Sequence, residues 1–285
     1  MDEILEQNRR SWNAVAEAHA SHRRALAGFL RGGGVTLFPE ERELLGDLRG
    51  LRVAHLMCSA GGDTLSLVNL GARATGVDMS DRAIELAREL SRKTGLQARF
   101  VRSEVCRWLG TVRERFDVVF CSYGVVCWLR DLDLWARGVA KVLAGGGRFV
   151  MVEFHPLADM LDGGWRLRHH YPSGGERVML EEGVGDYVGE SGEGLAPGGY
   201  SPGVRGFRNP HPCHLYRWGL GEVITALSGA GLQILTLREY PYVNGERKLP
   251  GLRELGDGRL APPEGVPDVP LMYGLVARRQ GWRMR

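Results

Sequence analysis

The chain has 285 residues, 44% hydrophobic and 25% charged, with a formal net charge of +3. That is room for one large domain, or one domain with an insertion, of ordinary globular composition, and too little positive charge to argue for a nucleic-acid partner. No apolar run approaches the roughly 20 residues of a membrane span, the opening MDEILEQNRR lacks a signal peptide's apolar core, and Cys58, Cys106, Cys121, Cys127 and Cys213 include no C-x-x-C pair. Reduced thiols in a cytoplasm are expected, without a disulfide frame or a zinc site.

Residues 2–30 read as one or two helices with Ile4, Leu5, Trp12, Val15 and Ala16 near one face, broken by Arg31-Gly32-Gly33-Gly34. Trp12 and His19, seven residues apart, share a face. A second helix is predicted over Pro39–Leu48. The next stretch, LRVAHLMCSAGGDTLSLVNLGARATGVDMS, organises the chain. A strand, Val53–Met57, enters the small-residue turn Cys58–Gly62. A helix then opens at Asp63 and ends near Gly71, and a second strand, Ala74–Val77, ends on Asp78. Helix N-terminal N–H groups and a tight turn can hug a nucleotide, and an acid about 20 residues on can take ribose hydroxyls.

Ser80 is a good N-cap for a helix that Gly95 stops. Ala98–Val101 is a third strand, followed by Ser103, Glu104 and Val105. Phe116–Cys121 is a fourth, with Ser122-Tyr123-Gly124 at its tip. An amphipathic helix leads through Gly145-Gly146-Gly147 to a fifth strand, Arg148–Glu153. Residues 156–214 are rich in glycine, charge and aromatics, with a hairpin signal at Arg177–Leu180, and read as an inserted cap. A helix over Leu220–Ala230, a sixth strand over Gln233–Tyr240, a proline-rich loop over 241–270 and a seventh strand over Leu271–Arg278 complete the chain. Alternating strands and helices predict a doubly wound, mostly parallel α/β sheet. The expected division is a helical lid (1–50), a Rossmann-like core (51–155), a substrate cap (156–214) and a C-terminal completion of the sheet (215–285).

The stretch 51–80 resembles motifs I and II of class I S-adenosylmethionine-dependent methyltransferases, and its pattern H-L-x-C-x-x-G-x-D-T-L resembles a mostly bacterial small-molecule subgroup. His55 stands where the family has an acid, and Met57, Ser59 and Gly61 stand at its three glycines. F-D-V-V at 116–119 and the Gly145–Gly147 turn resemble later family segments. The resemblance implies a seven-stranded sheet whose last strand is antiparallel, an N-terminal lid containing Trp12 and His19, and S-adenosylmethionine as cofactor. It implies cofactor contacts from Trp12, His55, Met57, Cys58, Ser59, Gly61, Asp78, Met79, Ser103, Glu104, Val105 and Cys121, with Glu104 accepting from the adenine amino group. Cys121-Ser122-Tyr123-Gly124 lacks the N-P-P-Y of adenine- and glutamine-directed members, which argues against nucleic acid and protein amides and for a small organic acceptor.

Ligands of open α/β sheets sit at the carboxyl ends of the strands, which makes Tyr123, Trp128, Glu153 and His155 acceptor-side candidates. His214, Tyr216 and Trp218 follow the cap. His155, Tyr123, Tyr216 and His19 are the catalytic candidates, since histidine titrates near neutral pH. Aromatics at 123, 128, 165, 171, 187, 200, 216 and 218 predict a ring-lined pocket. His169, His170, His211 and His214 match no standard zinc spacing. Two other readings stay open: a cofactor-binding regulator without turnover, and an NAD-dependent oxidoreductase, against which stands the absence of G-x-G-x-x-G.

Overall fold

The structure, a computed structural model, describes residues 2–279. It opens with helices α1 (Glu3–Ser21), α2 (Leu26–Arg31) and α3 (Pro39–Leu45). The core then runs β1 (Arg52–Leu56), α4 (Gly62–Asn69), β2 (Arg73–Asp78), α5 (Asp81–Thr94), β3 (Arg99–Arg102), α6 (Val105–Thr111), β4 (Phe116–Ser122), α7 (Leu132–Val142) and β5 (Leu143–Phe154). Beyond it lie β6 (Glu176–Leu180), α8 (Tyr187–Ser191), β7 (Cys213–Arg217), α9 (Leu220–Gly229), β8 (Leu232–Tyr240), the short strands β9 (Val243–Asn244), β10 (Arg253–Gly256) and β11 (Arg259–Ala261), and β12 (Met272–Arg279). No helix of the described residues is long and apolar enough to cross a membrane.

Seven strands form one sheet in the order β3-β2-β1-β4-β5-β12-β8. The first five are parallel, and β12 runs antiparallel between β5 and β8. This is the class I methyltransferase fold. The inner strands carry near-continuous apolar runs because both faces are covered. On one face Phe116, Val119, Cys121 and Met151 meet Trp108, Trp135, Val139 and Leu227 of α6, α7 and α9. On the other, Val53, Val118, Phe120 and Val150 meet Leu44, Leu45 and Leu67 of α3 and α4. Burial of such side chains contributes about 1.5–3 kcal/mol each.

Two stretches differ from expectation. The Gly145–Gly147 turn is absorbed into β5, whose register against β4 jumps from Phe116↔Leu143 to Val118↔Arg148. A Cβ on Gly147 would lie 3.0 Å from Ala144 O and 3.1 Å from Asp117 O, so the bulge requires glycine there. Residues 241–270, expected as a loop, hold the three-stranded sheet β10-β11-β9. Those strands are too short and too interrupted by glycine and proline to leave a period-2 signal. The strand signal at Arg177–Leu180 is real, and β6 pairs antiparallel with the distant β7.

The tips of β4 and β5 are joined by a buried carboxylate. Glu153 is 4% exposed and accepts the backbone N–H groups of Gly124, Val125, Val126 and Phe154 at 2.5, 2.7, 3.0 and 2.8 Å. Burial pushes its pKa up, and those four donors oppose the shift. Removing the carboxylate leaves several buried donors unpaired at about 1–3 kcal/mol each. Glu153→Ala is therefore expected to lower the urea-derived unfolding free energy by about 3 kcal/mol or more. A change within about 0.5 kcal/mol, the range of ordinary surface substitutions, would disprove the tie.

Candidate active site

The site starts from the turn after β1. Met57, Ser59 and Gly61 have φ of +53°, +47° and +80°, so alternate residues hold left-handed backbone. Cys58 N donates to Val77 O at 2.9 Å and Gly61 N to Cys58 O at 3.0 Å, which seats the turn against β2. Asp78, at the tip of β2, accepts Ser59 N–H on one oxygen and Ser80 N–H on the other, each at 2.8 Å. A Cβ on Gly61 would meet Ala87 Cβ at 2.7 Å and the Phe100 ring at 2.8 Å, so glycine is required there by contact as well as by φ. Met57 and Ser59 keep the glycine conformation without glycine, at about 1–2 kcal/mol each.

The turn forms one wall of a cavity of about 510 Å³, lined also from α1, from the tips of β2 and β4, and from segments after β5. That volume suits a small ligand or cofactor. Of the residues expected to meet a cofactor, Trp12, His55, Met57, Cys58, Ser59, Gly61, Asp78, Met79, Ser103, Glu104 and Val105 all line it. His55 is 3% exposed, stacks on Phe120 at 5.1 Å and meets Thr64 Oγ1 through Nδ1 at 2.8 Å. Burial lowers its pKa to about 4, so the place of the family's acid is neutral. Glu104 caps α6 by accepting Cys106 N–H and Arg107 N–H at 2.8 and 2.7 Å. Its oxygens keep further lone pairs for a ligand.

Four expected residues lie elsewhere. Cys121 is 0% exposed and sits in the core beneath the sheet, because strand alternation turns it away from the tip. His155 caps the 3₁₀ turn after β5: Nδ1 accepts Leu157 N–H at 3.1 Å, which leaves the proton on Nε2 to donate to Glu239 at 2.9 Å. With both ring nitrogens engaged outside the cavity, it is not placed to act as a base there. Tyr216 lines a separate cavity of about 790 Å³ with Trp218, Leu132 and Asp2. His19 stands behind the wall, 4.2 Å from the Tyr187 ring and 6.5 Å from Trp12, with Nε2 donating to Gly185 O at 3.1 Å. His155 and Tyr216 therefore do not flank one cavity.

Tyr123 does line the cavity, with φ +48° and its oxygen accepting from Asn244 Nδ2 at 2.9 Å. Of the other expected aromatics, Trp128 and Tyr187 join it. Trp165 donates to Pro250 O, Tyr171 accepts from Leu220 N, Tyr200 stacks on His22 and Trp218 donates to Leu129 O. Glu153 is spent on its loop, and His214 is fixed to α1 through Asn8 and Gln7. Sequence reasoning missed Thr36, Phe38, Glu41, Asn244 and Glu246, all on the cavity wall. They come from segments whose side chains meet the site only through tertiary contact. The one available signal was Glu41, at the third position of a helix opened by Pro39, where a carboxylate can take the cap residue's N–H.

Residues 53–147 match a family model described as a methyltransferase domain. The chain is 30% identical over 100 residues to a ubiquinone biosynthesis O-methyltransferase of Proteus mirabilis, 35% of this chain and 40% of that relative. A second relative of the same name, from Rhizobium etli, is 27% identical over 120 residues, 42% of this chain and 48% of the relative. The chain thus spans less than half the length of these curated relatives. A solved S-adenosylmethionine-dependent methyltransferase from Mesorhizobium loti superposes over 86% of this chain and 99% of its own, with a TM-score of 0.53 and 20% identity. The turn, Asp78, Glu104 and Tyr123 all fall inside the methyltransferase domain, whereas Trp12, Glu41 and Asn244 lie outside it.

Two outcomes follow from this geometry. Ser59→Gly relieves left-handed strain and is expected to raise the unfolding free energy by about 1 kcal/mol in urea titrations; a loss of stability would show that the serine side chain holds the turn. Burial, with the Arg23 charge adding, lowers the His19 pKa to about 4, and burial alone lowers that of His55 to about 4. Both lie below the ordinary value of about 6.5, so between these limits the unfolded chain binds protons that the folded chain refuses. Stability is complete above about pH 6.5 and falls as pH drops toward 4, by ~1.4 kcal/mol per pH unit for each histidine. Urea titrations at pH 7 and pH 5 should show the loss, and His19→Gln should remove about half of it.

Proposed function

We propose that this chain transfers the methyl group of S-adenosylmethionine to a small organic acceptor. The observation that carries the reading is one cavity that joins the β1 turn, Asp78 and Glu104 to a wall of Tyr123, Trp128 and Tyr187. The residues suit the cofactor: Asp78 and Glu104 each keep free carboxylate lone pairs toward a ribose and a base, and the turn with the α4 N-terminus suits an amino-acid end. The names of the curated relatives support methyl transfer to a small molecule. When bound, S-adenosylmethionine supplies a sulfonium methyl: the acceptor's lone pair forms the new bond as the carbon–sulfur pair returns to sulfur, and the positive charge passes to the acceptor.

The chain's own part is placement in a site shielded from water. Asp78 holds Ser59, and with it the floor of the site. Glu153 pins residues 124–126, and Asn244 fixes the Tyr123 hydroxyl, so the acceptor-side wall is held from two directions. α1 forms the roof. Trp12 meets Trp128 edge-on at 5.2 Å, and His22 Nε2 meets Asp186 Oδ2 at 2.7 Å, tying the roof to the segment before α8.

Calorimetry with S-adenosylhomocysteine is expected to give binding, and NAD none. Asp78→Ala should lose about 2–4 kcal/mol of that affinity, because a charge-assisted pair of bonds and the support of Ser59 go together. Tight NAD binding, or an unchanged affinity in the variant, would reject the reading.

A further inference from the structure

Two acceptor atoms on the wall of this cavity are buried without any hydrogen-bond partner: Glu41 Oε1 and Asn244 Oδ1. Both residues are 1% exposed. Their orientations are fixed from behind. Glu41 Oε2 takes Phe38 N–H at 2.7 Å, the Ser122 side chain also reaches the carboxyl, and Oε1 is the oxygen left without a partner. Asn244 Nδ2 donates to Glu40 Oε2 at 2.8 Å and to Tyr123 at 2.9 Å, and a flipped amide would set its oxygen against the Glu40 carboxylate. An orphaned buried acceptor costs about 1–3 kcal/mol, so two on one wall mark a place where a ligand donates hydrogens.

The position and the donor count narrow that ligand. α3 packs on β5 and β12, Asn244 follows β8 and Tyr123 follows β4, whereas Asp78 and Glu104 follow β2 and β3. The orphan pair thus belongs to the half of the sheet away from the groups that suit a nucleoside. A hydroxyl brings one hydrogen, too few for two acceptors, whereas a protonated amine brings two or three. The charge agrees: Glu41, Asp63, Glu190 and Glu246 line the cavity, while its cations, Arg23 and Lys248, donate to Leu195 O and Asp159, each at 2.7 Å.

We infer that the methyl acceptor is a small amine whose nitrogen is received by Glu41 and Asn244, with the aromatic wall beside it. This deepens the methyltransferase reading and rests on it. With nitrogen as acceptor the transfer balances as written above: the positive charge ends on nitrogen, and the product leaves as the methylated ammonium. Burial, with the Asp63 charge adding, pushes the Glu41 pKa up, which suits the carboxylate to take a proton from an ammonium held against it. A cationic amine has no lone pair, so it first passes one proton to the Glu41 carboxylate, and the neutral amine then takes the methyl group.

The test is calorimetry on the full chain saturated with S-adenosylhomocysteine, using benzylamine and its hydroxyl counterpart benzyl alcohol at pH 7. Benzylamine should bind about tenfold or more tightly than the alcohol. Glu41→Gln keeps an acceptor for Phe38 N–H; it should abolish the preference while leaving S-adenosylhomocysteine affinity unchanged. Equal affinity for amine and alcohol in the native chain overturns the inference, and needs no variant to do so. A variant that loses S-adenosylhomocysteine affinity overturns it too, by giving Glu41 to the cofactor's own amino group. Failure of the native chain to bind S-adenosylhomocysteine would strike the methyltransferase reading instead; the same pair of ligands compared on the free chain then decides the amine site separately.

Discussion

A carboxylate at the tip of β2 accepts the Ser59 N–H across a turn in which Met57, Ser59 and Gly61 are all left-handed. The site depends on this contact, because it is what lets β1 and β2 end side by side with open backbone between them. Left-handed backbone in methionine and serine is unfavourable by about 1–2 kcal/mol each, and persists only where the surroundings over-determine it. Here the surroundings are the Asp78 carboxylate, the Cys58–Val77 backbone bond and the contact of Gly61 with Ala87 and Phe100. Strain of this kind gathers at functional sites, and the cavity opens directly over it.

A second carboxylate does the corresponding work at the tips of β4 and β5. Glu153 gathers four backbone N–H groups and so shapes the loop that carries Tyr123. A third, Glu40, is bonded by Asn244, Tyr242 and Arg259, and through Asn244 it reaches the same tyrosine. Hydrogen bonds to these groups favour their charged forms. Glu41 differs: it is buried beside Asp63 with no cation against it and one oxygen unbonded. All four acids thus organise backbone or side chains, and Glu41 alone among them keeps one oxygen without a partner.

The histidines divide in the same way. His55 is neutral, sealed between Thr64 and Phe120, and removes from the β1 tip the negative charge that an acid would bring there. The acids Asp63 and Glu41, from α4 and α3, bring negative charge to the cavity wall instead. His19, His22 and His214 fasten α1 to the segments around α8 and β7 by hydrogen bonds, beside an apolar cluster in which Val15 and Trp12 meet Val184, Tyr187 and Cys213.

The sequence alone determined the sheet. Apolar runs, glycine stops and the acid at 78 are local signals, and strand, turn, helix and strand follow from periodicity within one stretch. The residues expected to meet a cofactor came with it, because they sit at strand tips whose positions the fold dictates. The resemblance to a methyltransferase family added the antiparallel last strand. What the tertiary structure decided is where side chains outside that frame point. Cys121 and His155 lie within a residue or two of strand tips, yet one faces the core and the other turns to Glu239, since a single step along the backbone reverses direction. Tyr216 faces a different cavity because β7 pairs with β6, outside the main sheet. Glu41 and Asn244 are some two hundred residues apart and meet one cavity only because α3 packs on β5 and β12 while Asn244 reaches back to Glu40 and Tyr123. No local pattern encodes such a meeting, since it is fixed by packing between elements and not by the period of any one of them.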